Sequence, residues 1–308
     1  MIREPLIRNP ANPIITPDMM PVRCYSVMNS GATIFKDKVL LLLRVEYCDR
    51  SQHFHVALSE DGINFKVSPQ EINYPLSITE AHTGPASRFD MRITYIKNED
   101  RYIIFHAAWM SNLGCGVATC TTEDFINFTP MGYISEPSNR NAVLFPEKIN
   151  GMYARLDRPQ DVDGNGGMWV SYSKDLDFWG HSLPIMLPKN DWYRNKAGAG
   201  AIPIRTEQGW LLIYHATAPT CSTENYYLGA MLVDLEEPHK IIAAPKEFIL
   251  AAEKDYECVG QTPNVVFTSG AVEMPDGTLN VYYGGADTRM CLAQSTVSDL
   301  VAYCLKSK

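Results

Sequence analysis

No stretch of this chain approaches the roughly 18 consecutive apolar residues that a membrane-crossing helix needs. The opening MIREPLIRNPANPIITP also has no apolar run long enough for a secretory leader. From these two absences we expect a soluble, cytoplasmic protein with no membrane partner. Basic charge is scarce as well, with 27 Lys and Arg against 35 Asp and Glu, a net charge of −8. A nucleic-acid partner needs a basic face to meet its phosphate backbone, so that class is excluded. A small anion is not excluded, because a few converging Arg and Lys can hold one inside an acidic protein. None of the eight cysteines, at 24, 48, 115, 120, 221, 258, 291 and 304, belongs to a CxxC pair. Cys115 and Cys120 have no second cluster to complete a zinc site, so free thiols and no metal are expected. Long helices are not expected either, since no capped stretch keeps a 3.6-residue period.

What the chain does have is strands. Hydrophobic residues make up 45% of it, enough for a full core. GATIFKDKVLLLLRVE (31–46) reads as two apolar strands around Lys-Asp-Lys, and RITYIKNEDRYIIFHAAW (92–109) repeats the plan around Asn-Glu-Asp. AVLFPEKINGMYARL (142–156) turns at Asn150-Gly151, the strongest short hairpin signal. AIPIRTEQGWLLIYHAT (201–217) turns near Gly209, and GAVEMPDGTLNVYYGGADT (270–288) turns at Asp276-Gly277. A second phrase falls between the hairpins in register: SEDGINF (59–65), TTEDFINF (121–128) and SYSKDLDFW (171–179) each run from small polar residues through an acid to an aromatic. VDLEEPHKI (233–241) and TVSDLVAYCL (296–305) occupy the matching places after the fourth and fifth hairpins and are read as outer strands. Five such units, spaced by roughly 50 to 70 residues, predict an all-β, five-bladed β-propeller built as one domain over 1–308. A β-sandwich or a pair of β-domains is the competing architecture.

In a propeller the functional residues come from several blades and meet at the mouth of a central funnel. Asp90, in SRFDMRITYI, enters the second hairpin; by itself it reads equally as a cap or as an ion-pair partner of Arg88 or Arg92. Arg140 and Asn141 stand just before the third hairpin, and Arg155 and Arg158 just after it. Lys196 precedes the fourth, beside Gly198 and Gly200, which permit close backbone approach. His215 ends that hairpin and Tyr226 follows in ENYYLG. Arg forks, a Lys point charge, a His and a Tyr converging there form an anion pocket.

The succession NSGATIF, LLLRVEYCDRSQHFHVALSEDGINF, FDMRITYI, NRNAVLFP, RPQD, LDFWGH, KAGAGAIP, GWLLIYHA, YECVGQTPNVVF and YYGGADT resembles glycoside hydrolase family 130, the β-mannoside phosphorylases and their hydrolytic relatives. The likeness runs in order along nearly the whole chain and implies the same five-bladed propeller. Carried over by position, it implies that Asp90 is the general acid and that Arg140, Asn141, Arg158, Lys196, His215 and Tyr226 bind phosphate. It implies that Asn29, Arg44, Arg50 and Asp287 hold the transferred mannose. Met91 is a departure, since many relatives have Pro after the catalytic Asp.

The implied reaction is inverting phosphorolysis of a β-mannoside, giving α-mannose 1-phosphate and an acceptor sugar. Phosphate is then a substrate and no cofactor is needed. A glycosidase ordinarily needs two carboxyl groups. Phosphate is already an anionic nucleophile, so one acid facing a basic cluster suffices. In the family the sugar's own 3-hydroxyl is thought to relay the proton. Asp90 must be protonated near neutral pH to serve, by burial or by a nearby anion such as bound phosphate. A β-mannosidase on the same propeller and a non-catalytic carbohydrate-binding propeller are the alternatives; the intact basic cluster argues against both. The wording of the chain leans toward the β-1,4-mannooligosaccharide or mannosyl-N-acetylglucosamine type. Segments 77–88 and 218–227 are candidates for acceptor choice. Relatives often assemble into dimers or larger rings, and for a homo-oligomer the apolar N-terminal segment is the stretch to pack on a neighbour.

Overall fold

In KVLLLLRVEY, Leu40 and Leu42 point to one side of their strand and Leu41 and Leu43 to the other, because successive side chains alternate. All four are fully buried. A sheet buried on both faces needs a neighbour on each side, and a closed ring of sheets supplies one.

The computed structural model describes residues 5–76, 87–110, 114–133, 135, 138–189 and 191–306. After a two-residue strand, β1 (Ile7–Arg8), the first blade comprises β2 (Cys24–Phe35), β3 (Lys38–Tyr47), β4 (Gln52–Ser59) and β5 (Lys66–Glu71). The second comprises β6 (Ser87–Ile96), β7 (Arg101–Met110), β8 (Gly114–Thr122) and β9 (Thr129–Tyr133). The third comprises β10 (Asn139–Leu144), β11 (Tyr153–Pro159), β12 (Met168–Ser173) and β13 (Trp179–Met186). The fourth has a broken inner strand, β14 (Lys196–Ala199) and β15 (Ile204–Thr206), paired to β16 (Gly209–Pro219). It continues through β17 (Glu224–Val233) to the short β18 (Ile241–Ala243) and β19 (Leu250–Ala251). After a single helical turn, α1 (Asp255–Cys258), the fifth blade is β20 (Val266–Glu273), β21 (Thr278–Gly285) and β22 (Arg289–Thr296). All five hairpins read from the sequence are the inner strand pairs of the blades.

Each blade interface has its own apolar core. Leu40 and Leu42 pack with Met91, Ile93 and Ile104 between the first two blades. Leu41 and Leu43 pack with Tyr282 and Leu292 of the fifth. Leu144 meets Phe105, Tyr214 meets Val170, and Val281 meets Leu228 at the other interfaces. Full burial of one such side chain contributes about 1.5–3 kcal/mol.

The repeated acidic phrase proves to be a turn between the third and fourth strands. Asp61 Oδ1 accepts hydrogen bonds from the backbone N–H of Ile63 and Asn64, at 2.9 and 2.8 Å. Asp124 does the same for Ile126 and Asn127, and Asp175 for Asp177 and Phe178. Asp234 serves Glu236 and Glu237 in the fourth blade, so the mark recurs there as a turn and not as the expected strand.

The fifth blade departs from expectation in two ways. TVSDLVAYCL is a helix, α2 (Val297–Lys306), started by Thr296, whose Oγ1 accepts from the backbone N–H of Asp299 at 3.0 Å. Leu300, Val301 and Cys304 face the core, one turn apart. The fourth strand of that blade is instead β1, paired antiparallel with β22 through Ile7 and Gln294. The apolar N-terminal segment therefore closes its own ring, with Leu6, Ile14 and Ile15 buried. Arg8 secures the closure through two bonds to the buried carboxylate of Glu257, 2.8 and 3.0 Å. All eight cysteines are free thiols. Among the described residues no helix is long and apolar enough to cross a membrane.

Candidate active site

The inner strands of the first three blades share one irregularity. Their pairing slips between Met28 and Gly31, between Phe89 and Arg92, and between Arg140 and Val143. At each slip one residue is left-handed: Asn29 with φ 48°, Asp90 with φ 59° and Asn141 with φ 60°. Asn and Asp tolerate that conformation better than other side chains with a Cβ. A bulge of this kind breaks the alternation of the strand and re-aims a side chain. Here it turns three polar groups together.

Asn29 Nδ2 donates to Asp90 Oδ1 at 3.3 Å and lies 3.4 Å from Asp287 Oδ1. Arg140 Nη2 holds the other Asp90 oxygen at 3.1 Å, and its Nε donates to Asn141 Oδ1 at 3.0 Å. Asn141 Nδ2 meets His215 Nε2 at 3.2 Å, which carries the network into the fourth blade. Asp90 is almost sealed, at 3% exposed, while Arg140 is 27% exposed and opens to the mouth. Phe89 forms a floor for the cations: the guanidinium of Arg140 stands 4.7 Å and that of Arg44 5.3 Å from its ring centre. Arg44 Nε is fixed by Gln52 at 2.7 Å.

The basic residues assemble as expected on Gly198. A Cβ there would stand 2.7 Å from Arg158 Cδ and 2.8 Å from His215 Cε1, so only glycine lets both side chains lie over β14. Arg158 Nε and His215 Nδ1 are buried and find no hydrogen-bond partner among the described residues. Unpaired buried polar atoms are costly, and these two lie beside Arg140, with Lys196 close to His215. Lys196 and Tyr226 complete this side; burial pushes the Tyr226 hydroxyl up to about 12, against the pull of Arg140, so it remains a hydrogen-bond donor.

Burial, then the charges of Arg158, Arg92, Arg140 and Lys196, hold His215 well below its ordinary value, so it is a neutral imidazole. Burial likewise lowers Arg158 to about 10, still cationic at neutral pH. Burial raises the carboxyl of Asp287. For Asp90 burial also pushes upward, but Arg140, Arg92 and Arg44 outweigh it and hold the carboxyl below the usual carboxylate range. Of the two routes expected to ready Asp90 as an acid, burial is thus outweighed here, which leaves a nearby anion. Three guanidinium groups surround it, and without a second anion they keep it ionised.

Sequence reasoning missed several supports. Arg92 is buried beneath Asp90 and donates to its backbone carbonyl at 2.6 Å, and to those of Gly200 and Ala199, each at 3.2 Å. The ion-pair partner of Asp90 is Arg140, and Arg88 instead donates to the Tyr74 carbonyl at 3.0 Å. Lys196 has an acidic partner, Glu224. Arg155 turns away to Asp157 and lies over Trp179. Arg50 stands apart from the buried cluster, paired with Glu46 at 2.9 Å and largely exposed on the rim. Met91 is wholly buried against the first blade, so packing and the bulge position Asp90 without a proline. Acceptor segment 77–88 falls outside the described residues except for Ser87 and Arg88. Among the described residues there is no group of His, Cys, Asp and Glu suited to a metal ion.

The glycoside hydrolase 130 model, described as beta-1,4-mannooligosaccharide phosphorylase, matches residues 5–306. The chain belongs to glycoside hydrolase family 130. Within the family it is 35% identical to the beta-1,4-mannooligosaccharide phosphorylase of Ruminococcus albus, over 98% of this chain and 91% of that one. It is 32% identical to the 4-O-beta-D-mannosyl-D-glucose phosphorylase of Bacteroides fragilis, over 91% of this chain and 75% of that one. The beta-1,2-mannobiose phosphorylase of Listeria innocua, solved with beta-1,2-mannobiose, superposes with a TM-score of 0.87 at 28% identity, covering 98% of this chain and 99% of that one. The superposition on the Listeria structure extends over the whole five-bladed ring.

Proposed function

We propose that this chain cleaves β-mannosides by inverting phosphorolysis, with β-1,4-mannooligosaccharides as the favoured substrates. The observation that carries the reading is the double duty of Arg140, which holds the Asp90 carboxylate and opens onto the pocket of Arg158, Lys196, His215 and Tyr226. One acid thus faces one anion pocket, which is what displacement by phosphate requires.

In the proposed reaction phosphate lies among Arg140, Asn141, Arg158, Lys196, His215 and Tyr226. A phosphate oxygen attacks C1 from the face opposite the leaving group. The C1–O bond to the acceptor breaks, its electron pair stays on the departing oxygen, and that oxygen takes up a proton originating on Asp90, relayed by the 3-hydroxyl of the sugar. Asn29, Arg44 and Asp287 hold the transferred mannose, and Arg50 meets it from the rim. The proton on the newly formed phosphate ester resets Asp90. Atoms and charge balance without a cofactor.

Bound phosphate also supplies what the free site lacks. An anion beside Arg140 and Arg158 offsets the field that keeps Asp90 ionised, and so raises its pKa toward that of a working acid. In the proposed reading the acceptor sugar takes the cavity of about 410 Å³ on the rim between the first two blades, lined by Arg50, Gln52, His53, Tyr74 and Arg88.

The linkage is read in the synthetic direction. Incubation of the protein with α-mannose 1-phosphate and mannose, with the product analysed by NMR, is expected to give the β-1,4-linked disaccharide. A β-1,2-linked product would move the chain to the specificity named for the Listeria relative.

A further inference from the structure

Strand β17 turns two side chains of the same parity, Glu224 and Tyr226, toward Lys196: Tyr226 pairs with Thr217, and Thr217 with Lys196. Glu224 Oε2 accepts from Lys196 Nζ, and Oε1 accepts from Asn195 Nδ2 at 2.8 Å. Both members of the ion pair are mostly buried, at 19% and 21% exposed. Burial would raise the Glu224 carboxyl, but the bonds from Lys196 and Asn195 prevail and hold it low, so it is an anion at neutral pH. A carboxylate bonded to a cation of an anion pocket opposes the ligand that the pocket is built to take.

We propose that Glu224 is a positioning residue that tunes the affinity for anionic substrates through Lys196, holding the ammonium at the pocket edge and sharing it with the incoming phosphate. The inference rests on the phosphorolytic reading. Glu224 exerts two effects of opposite sign on phosphate. Anchoring a long, flexible side chain favours binding, and placing a like charge beside a dianion disfavours it. The charge dominates, because the site is partly desolvated and phosphate carries between one and two negative charges at neutral pH. Glu224 therefore holds the affinity for phosphate and for the sugar 1-phosphate product down, which speeds release of that product.

The test is Glu224→Gln, which removes the charge and keeps an oxygen to accept a hydrogen bond, made alone and together with Lys196→Ala. In Glu224→Gln the KM for phosphate, and in reverse the KM for α-mannose 1-phosphate, are expected to fall about five-fold, with the KM for the mannoside unchanged. In the Lys196→Ala background the fall on Glu224→Gln is expected to be larger, because the opposing anchoring effect is gone and only the like charge remains. A phosphate KM that stays or rises, a mannoside KM that moves as far, or an equal or smaller shift in the Lys196→Ala background would overturn the proposal. Calorimetry of sulfate binding to the unaltered protein separates this from failure of the parent reading. No sulfate binding would remove the phosphate pocket itself, whereas binding indifferent to Glu224 removes only the role of Glu224.

Discussion

Asp90 has one carboxylate oxygen on Asn29 and the other on Arg140, with Arg92 beneath and Arg44 beside it. These contacts stabilise the charged form, and an acid must be neutral, so the account links proton uptake to anion binding. Titration with sulfate, which brings no proton of its own at neutral pH, in buffers of different ionisation enthalpy is expected to show uptake of a fraction of a proton up to one. Asp90→Asn is expected to bind sulfate without that uptake and to lose turnover by a factor of about 10² to 10⁴. Equal uptake in both proteins would assign the proton to another group, and loss of sulfate binding in the variant would make Asp90 a pocket residue. At this scale the sequence was partly legible. Asp90, Arg140, Asn141, Arg158, Lys196 and His215 could be singled out because their segments resemble a family. Arg92 was visible only as a possible ion-pair partner of Asp90 and Glu224 not at all, since only the folded ring shows which backbone carbonyls and which cation they reach.

Among elements, the hairpins were legible because turn chemistry is local: Asn150 and Gly151 both take positive φ, as the reading of that turn required. The bulges at Asn29, Asp90 and Asn141 were not, because an extra residue in a strand leaves no periodic signature beyond the Asn or Asp itself. Helix α2 was missed for a similar reason. Its Thr296 cap and Asp299 are ordinary start signals, but the β-branched opening Thr-Val reads as strand. Strand β1, at two residues, has no pattern to read, yet it closes the ring. Its Arg8 meets Glu257, which also accepts from Tyr283 at 2.7 Å. Arg8→Ala is therefore expected to destabilise the fold by about 3–5 kcal/mol, since it leaves a buried carboxylate unpaired. Burial would raise the Glu257 carboxyl, but Arg8 and the backbone N–H groups of Glu253 and Lys254 hold it below its ordinary value of 4.5. Its stabilising contribution is then complete above the unfolded pKa and is lost as pH falls through the depressed folded one. Urea midpoints of wild type and Arg8→Ala should accordingly differ most near neutral pH and converge in acid. A constant gap across that range would deny the ion pair its role.

Across the whole molecule, the ring explains why residues so distant in sequence form one site. Five inner strands meet around an axis, and the polar side chains at their bulges and adjoining turns point into one funnel. The same ring separates the functions. On the proposed reading the first and fifth blades supply Asn29, Arg44 and Asp287 for the sugar, the second supplies the acid, and the third and fourth supply the anion pocket. The five-fold repeat was legible at this scale because the hairpins and the Asx turns recur in phase; the closure was not, because it depends on a contact between Arg8 and Glu257 across nearly the full chain. The measurement that bears most directly on the central claim is release of α-mannose 1-phosphate from β-1,4-mannobiose with and without inorganic phosphate. The account predicts sugar 1-phosphate only when phosphate is present, and no free mannose beyond the released acceptor. Mannose formed from both halves of the disaccharide without phosphate would contradict it and make the enzyme a hydrolase.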